Sequence, residues 1–317
     1  MRVVSADEID RALTFPALIE ALADAFRGDI VVPVRHHHDV GQANSAGTLL
    51  LMPAWTGLEA DGGFLGVKIV SVFPENAARG LPRVIGTYLL MDGATGAPLA
   101  TLDGTRLTLW RTAAVSALAA RSLAREDASR MAMIGAGALA PYLIRAHMSQ
   151  RPIREVTIWN RRPETARRLA ETLTAESLKV SATENLEGAV QQADLVSCAT
   201  LAREPLVRGA WLKEGAHLDL VGAFKPGMRE ADDEALQRAA VYIDTARART
   251  EGGDVAVALA AGAIGKDHVK GDLFDLCRGK GQGRTSYEEI TIFKSVGTGL
   301  VDLAAAILVW RGMAPPS

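Results

Sequence analysis

The chain has 317 residues, 48% of them apolar and 23% charged, with a formal net charge of -2. That length allows two domains of ordinary size with substantial cores. A near-neutral charge gives no electrostatic reason to bind nucleic acid or an anionic membrane.

Residues 8–27 predict one amphipathic helix, with Ile9, Leu13, Leu18, Leu22 and Phe26 near helical spacing and Gly28 closing it. Over residues 29–104, the stretches VPVRHHHDV, TLLLMPAW, FLGVKIVSVF and VIGTYLLMD are short, apolar and β-branched, and Gly, Pro and Asn punctuate them. They predict strands of an antiparallel sheet, with a turn at 92–98. Helical spacing returns over 105–124. From residue 130 onward strand and helix alternate, with strand candidates at 131–135, 155–160, 178–182, 194–200, 217–223 and 241–245. Such alternation predicts a parallel sheet with helices on both faces. Residues 272–284 are Gly-rich and read as irregular, 289–297 as strand and turn, and Leu300–Trp310 as a closing helix. The expected fold class is α/β: a Rossmann dinucleotide-binding domain over 123–284, and an α+β domain with a mainly antiparallel sheet formed by 1–122 with 285–317.

The N-terminus, MRVVSADEID, has acidic residues where a secretory signal has its apolar core, and no apolar run reaches the ~18 residues of a membrane span. Cys198 and Cys277 show neither metal spacing nor a disulfide framework. These features predict a cytoplasmic protein with no membrane partner.

Gly135-Ala136-Gly137-Ala138-Leu139-Ala140 fits G-x-G-x-x-G/A between the strand MAMI and a helix, which is the context a dinucleotide fingerprint requires. The first glycine permits the turn, and the second lets backbone approach a pyrophosphate at the helix N-terminus. Where an NAD-binding chain would carry an acid for the ribose hydroxyl, this one has Asn160-Arg161-Arg162. Two guanidiniums suit a 2′-phosphate and a carboxylate would repel it, so the expected cofactor is NADPH, with NADH the alternative. The competing explanation of Arg161 and Arg162 is a solvated helix start, a position that disfavours cations.

Several separated motifs stand in order: Pro33-Val34-Arg35, Leu51-Met52-Pro53-Ala54, Gly66-Val67-Lys68, Phe73-Pro74-Glu75-Asn76, Thr108–Ala114, the GAGALA turn and Glu289–Gly297 with Asp302 beyond. Through them nearly the whole chain resembles the ornithine cyclodeaminase/mu-crystallin family. The resemblance implies a homodimer whose first domains pair through their sheets, with a C-terminal segment folding back onto that domain. It implies that Arg35, Lys68 and Arg111 hold a substrate carboxylate and orient the reacting carbon; Met52, near the LMPAW turn, is a candidate pocket wall, with plain packing its competing explanation. Lys68 is then the catalytic residue, its ammonium protonating the substrate nitrogen as hydride reaches carbon. The competing explanation of Lys68 is the solvent face of an edge strand, and that of Arg111 a structural ion pair. The resemblance also implies that Arg111, Thr112, Thr200, Val221, Lys294 and Ser295 lie near the dinucleotide.

Cyclodeaminases of this family carry an aspartate after the fifth Rossmann strand; here that stretch is Val221–Glu230, with Phe224 and Lys225 at the position. Phenylalanine cannot accept a proton or hold an ammonium, so the form resembles the imine-reductase branch. That branch reduces Δ1-pyrroline-2-carboxylate to L-proline and often Δ1-piperideine-2-carboxylate to L-pipecolate. Glu230 or Asp39 taking over the missing aspartate is the competing explanation. A cyclodeaminase or an alanine dehydrogenase-like oxidoreductase remains an alternative, and a non-catalytic NADPH-binding protein like mu-crystallin is a third. His36, His37 and His38 alternate faces on a strand and cannot converge on one ion, so no metal is expected.

Overall fold

The computed structural model describes residues 1–41, 47–57, 62–82, 84–174, 178–225 and 227–313. Pro226, inside the 221–230 stretch, lies outside the described residues. A short strand, β1 (Arg2–Val4), opens the chain. Two helices follow where one was expected over 8–27: α1 (Ala6–Ala12) and α2 (Phe15–Arg27). Capping chemistry makes the break. Ser5 and Glu8 form a capping box on α1, while the Thr14 side chain accepts from the Ala17 amide and Pro16 sits in the first turn of α2. A side-chain acceptor followed by a residue without an N–H favours a new helix start.

The chain continues through β2 (His36–Val40), β3 (Gly47–Trp55), β4 (Phe64–Val72), β5 (Val84–Asp92), β6 (Pro98–Asp103) and α3 (Gly104–Leu123). Alternation follows: β7 (Arg130–Ile134), α4 (Ala140–Met148), β8 (Glu155–Trp159), α5 (Pro163–Thr174), β9 (Lys179–Thr183), α6 (Leu186–Gln192), β10 (Leu195–Cys198) and β11 (His217–Leu220). Then come α7 (Asp233–Arg238), β12 (Ala240–Ile243), α8 (Gly253–Ala260), β13 (Val269–Asp272), α9 (Leu273–Cys277), β14 (Thr291–Lys294) and α10 (Gly299–Gly312). Two compact units result, Met1–Arg111 with Thr298–Ser317, and Thr112–Gly297.

In the first unit the described strands form a six-stranded sheet in the order β1-β6-β5-β4-β3-β2, antiparallel except for the parallel β1–β6 pair. Period-two alternation sorts its faces. Met52, Ala54, Tyr88, Leu90, Ala100 and Leu102 are buried on the face where α10 packs against β3, β4 and β5. Val3, Trp55, Ile69 and Ile85 stand exposed on the other face.

In the second unit the described strands form an eight-stranded parallel sheet in the order β13-β12-β14-β11-β10-β7-β8-β9. The expected boundaries need correction. Strand β14 lies between β11 and β12, pairing Phe293 with both Asp219 and Tyr242. Ile290, Ile292 and Val296 are buried in this unit's core. The units therefore divide after Arg111 and after Gly297, not at 122 and 285. A strand buried on both faces belongs in the middle of a parallel sheet. The region read as irregular over 272–284 begins with the end of β13 and with α9, started by a capping box between Asp272 and Asp275.

Candidate active site

Lys68 lies on an interior strand, between β3 and β5, and is only 3% exposed. The sheet register sets Met52 and Tyr88 opposite it, one on either side, so the three residues form a row across the helix-covered face. Continuing the β2–β3 register by one residue brings Arg35, which immediately precedes β2, opposite Met52. Tertiary pairing thus gathers Arg35, Met52 and Lys68 from separate strands into one line, and Lys68 is no solvent-face residue of an edge strand.

An ion cluster forms at Lys68, inside the row. Lys68 Nζ lies 2.9 Å from Asp302 Oδ1 and 2.8 Å from Oδ2. Arg111 Nε donates to the same Oδ1 at 3.0 Å. Asp302 is fully buried in the first turn of α10, where a negative charge also suits the helix dipole. Gly299 seats that end of the helix: a Cβ there would lie 3.0 Å from Pro53 O of β3. Gly66 makes room in the same way, since a Cβ would stand 2.1 Å from the Tyr88 hydroxyl. That hydroxyl is buried and has no hydrogen-bond partner among the described residues. Burial, then the nearby Asp302 charge, hold Tyr88 well above the ordinary phenol range.

Burial and the Arg111 charge lower Lys68 from 10.5 to about 8, against the opposing pull of Asp302; Arg35 lowers it further. Lys68 and Arg111 thus share one carboxylate, an excess of positive charge that favours binding an anion. A lysine titrating near neutrality can exchange a proton with a bound molecule. Sequence reasoning included Asp302 in a motif but gave it no role. A carboxylate in the otherwise apolar stretch GLVDLAAAILVW was the available signal.

In the second unit the Gly-rich turn joins β7 to α4. Gly135 has φ +107°, and a Cβ there would lie 2.6 Å from Ala199 O. A Cβ on Gly137 would meet nothing within 4 Å, so the second glycine opens on free space. Helix α4 has no side-chain cap at Leu139, and the amides of Gly137, Ala138 and Leu139 donate to no described group. Uncapped amides at a helix N-terminus form an anion site. Asn160 latches the turn: its Oδ1 accepts from the Ala136 amide at 3.3 Å and its Nδ2 donates to Arg162 O at 3.0 Å. Arg161 and Arg162 are exposed beside it and form no ion pair among the described residues.

Other expected contacts turn inward. Lys294 is fully buried, 3.2 Å from Asp254 Oδ2 and 3.2 Å from Leu220 O, so its ammonium is committed within the protein. The Thr200 hydroxyl donates to Glu230 at 2.8 Å and accepts from the Ala202 amide. Val221 and Ser295 are buried, their amides donating to Cys198 O and Leu220 O. Thr112 follows Arg111 on α3 and is half-buried. Glu230 is fully buried and accepts four hydrogen bonds, which corrects its reading as a stand-in base. Asp39 is exposed on β2, and Phe224 is 44% exposed beyond β11. His36, His37 and His38 are exposed on the edge strand β2.

The sequence pattern of the ornithine cyclodeaminase/mu-crystallin family matches residues 2–314. A Delta(1)-pyrroline-2-carboxylate reductase of Paracoccus denitrificans is 41% identical over 294 residues, covering 92% of each chain. Among solved structures, Thermococcus litoralis Delta(1)-pyrroline-2-carboxylate reductase in complex with NADH and L-proline matches with a TM-score of 0.92 at 33% identity, covering 98% of this chain and 97% of that one. An archaeal alanine dehydrogenase dimer with bound NAD matches with a TM-score of 0.90 at 30% identity, covering 98% of this chain and 95% of that one. With every motif region inside the matched span, this chain belongs to the ornithine cyclodeaminase/mu-crystallin family.

Proposed function

We propose that the chain is a ketimine reductase that uses a nicotinamide dinucleotide to reduce the C=N bond of a small cyclic imino acid. The preferred reaction is Δ1-pyrroline-2-carboxylate to L-proline, with Δ1-piperideine-2-carboxylate to L-pipecolate as its six-membered counterpart. The observation that carries this reading is the buried Lys68–Asp302–Arg111 cluster. Arg111 spends its Nε on Asp302 and keeps the rest of its guanidinium for a carboxylate, which a guanidinium fork binds through parallel hydrogen bonds. Arg35 adds charge on the other side of Met52, and Met52 is a wall. Lys68 supplies the proton to the substrate nitrogen, and Asp302 fixes the position of its ammonium. Phe224 fits a substrate that arrives already cyclised, since no ring-closing base is then required. The Paracoccus and Thermococcus relatives, named for this reaction, support the reading.

The dinucleotide, when bound, supplies the hydride. The open space over Gly137 and the uncapped N-terminus of α4 fit its pyrophosphate, which Gly135, Ala136, Gly137, Ala138 and Leu139 would cradle. Thr112, Val221 and Ser295 belong to the same reading as neighbours of the bound dinucleotide, with Thr200 and Lys294 acting from beneath. Asn160 shapes the turn, and the two exposed guanidiniums of Arg161 and Arg162 favour NADPH over NADH. Changing both to alanine is expected to raise the KM for NADPH by on the order of tenfold or more and to leave that for NADH nearly unchanged. Equal effects on the two cofactors would remove the 2′-phosphate from the argument.

The deciding experiment follows dinucleotide oxidation with each cyclic imine, and with pyruvate plus ammonia, using NADPH and NADH in parallel. Turnover of the cyclic imines alone is the expected result. Turnover of pyruvate plus ammonia alone would make the chain an alanine dehydrogenase. Tight cofactor binding with no turnover would make it a binding protein.

The exposed apolar outer face of the six-stranded sheet, with Val3, Trp55, Ile69 and Ile85, supports a homodimer paired through these sheets. A sedimentation mass twice that of the 33.6 kDa chain is the expected result. Cys198 and Cys277 form no disulfide among the described residues, which fits a reducing, cytoplasmic setting.

A further inference from the structure

Beneath the carboxyl end of the parallel sheet lies a buried charge cluster whose central carboxylate has no task in the proposed reaction. Its centre is Glu230. Oε1 accepts from the Thr200 amide at 2.6 Å and from the Thr200 hydroxyl at 2.8 Å. Oε2 accepts from the Gly222 amide at 2.7 Å and the Ala223 amide at 3.3 Å. Thr200 lies just beyond β10 and Gly222–Ala223 just beyond β11, so one carboxylate ties together the loops leaving two adjacent strands. Gly222 shows how closely they are drawn: a Cβ there would stand 2.0 Å from Thr200 O and 2.4 Å from Glu230 Oε1.

A second carboxylate anchors the first. Asp254, in the first turn of α8, accepts from the Glu230 and Ala231 amides at 2.7 and 3.0 Å. Lys294 stands 3.2 Å behind it. Glu230, Asp254 and Lys294 are all fully buried. The chain of contacts also runs forward to the phosphate turn, because the carbonyl facing Gly135 belongs to Ala199, the residue before Thr200. In an open parallel sheet a dinucleotide lies along the carboxyl ends of the strands, on these loops.

We propose that Glu230 is a positioning residue for the dinucleotide, its carboxylate holding the Thr200 and Gly222–Ala223 loops in the shape that receives the cofactor. The inference rests on the reading of the second unit as a dinucleotide-binding domain. Every group directed at the Glu230 oxygens is a donor, so a protonated or amide side chain would point hydrogen at hydrogen and release a loop. Burial raises Glu230 to about 7, with Asp254 raising it too and Lys294 and the Thr200 bonds opposing. The Cys198 thiol also feels the Glu230 charge, and burial holds that thiol well above its ordinary range.

The test titrates wild type and Glu230→Gln with NADH, whose pyrophosphate stays ionised through neutrality, and reads the dissociation constant from protein fluorescence. Wild-type affinity is expected to weaken as the pH falls through about 7. The variant, folded by circular dichroism, is expected to bind on the order of tenfold more weakly and without that pH dependence. A folded variant that binds NADH as wild type does, with the same pH profile, would overturn the inference. If Glu230→Gln does not fold, Thr200→Val decides: weaker NADH binding supports the clamp, and unchanged binding overturns it. A wild type that binds neither NADH nor NADPH would overturn the dinucleotide reading and this inference with it.

Discussion

Asp302→Ala is expected to destabilise the protein by about 3–5 kcal/mol, the usual cost of removing one partner from a buried ion pair. The geometry explains the size. Two cations, Lys68 and Arg111, are directed at this one carboxylate, and both are almost completely buried. Without it neither has an anion, and a guanidinium cannot shed its proton in a protein. Lys68 can. Its pKa already lies at about 8 instead of 10.5, so the native state binds fewer protons than the unfolded chain between those values, and native stability rises with pH there. Losing Asp302 lowers the native pKa further and widens the window, so the variant should recover part of its stability on the alkaline side. Urea denaturation of wild type and variant across that range checks both claims. A loss below about 1 kcal/mol would mean that the cluster is solvated.

Lys68→Met should leave the fold standing and remove the chemistry. Asp302 keeps Arg111 as its partner, and methionine fills the volume of the lysine stem. The kcat for imine reduction is expected to fall by roughly 100- to 10,000-fold, the usual contribution of a positioned proton donor. The imino-acid KM should move little, because the arginines bind the carboxylate. In wild type, kcat/KM for reduction should decline as pH rises through about 8, where free Lys68 loses the proton it must give. The reverse oxidation, which needs the neutral amine, should rise through the same value. A Lys68→Met enzyme retaining more than about a tenth of wild-type kcat would fall outside the range for a proton donor and remove Lys68 from that role.

How far the sequence disclosed this arrangement depended on whether a signal was local. The Gly-rich turn carries its own context within about a dozen residues, and β7, the turn and α4 stand where the fingerprint predicts. Strand β13 is short and reads Val-Lys-Gly-Asp, a composition without strand character, so it was missed. Strand β14 was recognised as a strand but assigned to the wrong domain, because periodicity does not report which sheet receives a strand. Lys68 and Arg111 were identified through motifs. Asp302 stood among the motifs too, but not as their shared partner, since 234 and 191 residues separate them from it. Thr200 and Lys294 show the converse difficulty. A polar residue type does not state its direction, and only Glu230 and Asp254 reveal that these two face inward.

The placing of α10 also bears on how the chain can be made. Lys68 leaves the ribosome 234 residues ahead of the carboxylate that neutralises it. At roughly 5–20 residues per second, the first sheet waits more than ten seconds for its last helix. During that interval the second unit can acquire all its strands, because β14 precedes α10. The unit synthesised first is therefore completed last. A chain released before residue 299 would hold every strand of the parallel sheet but lack the helix that covers the first, apolar one, the state most exposed to chaperones and to self-association.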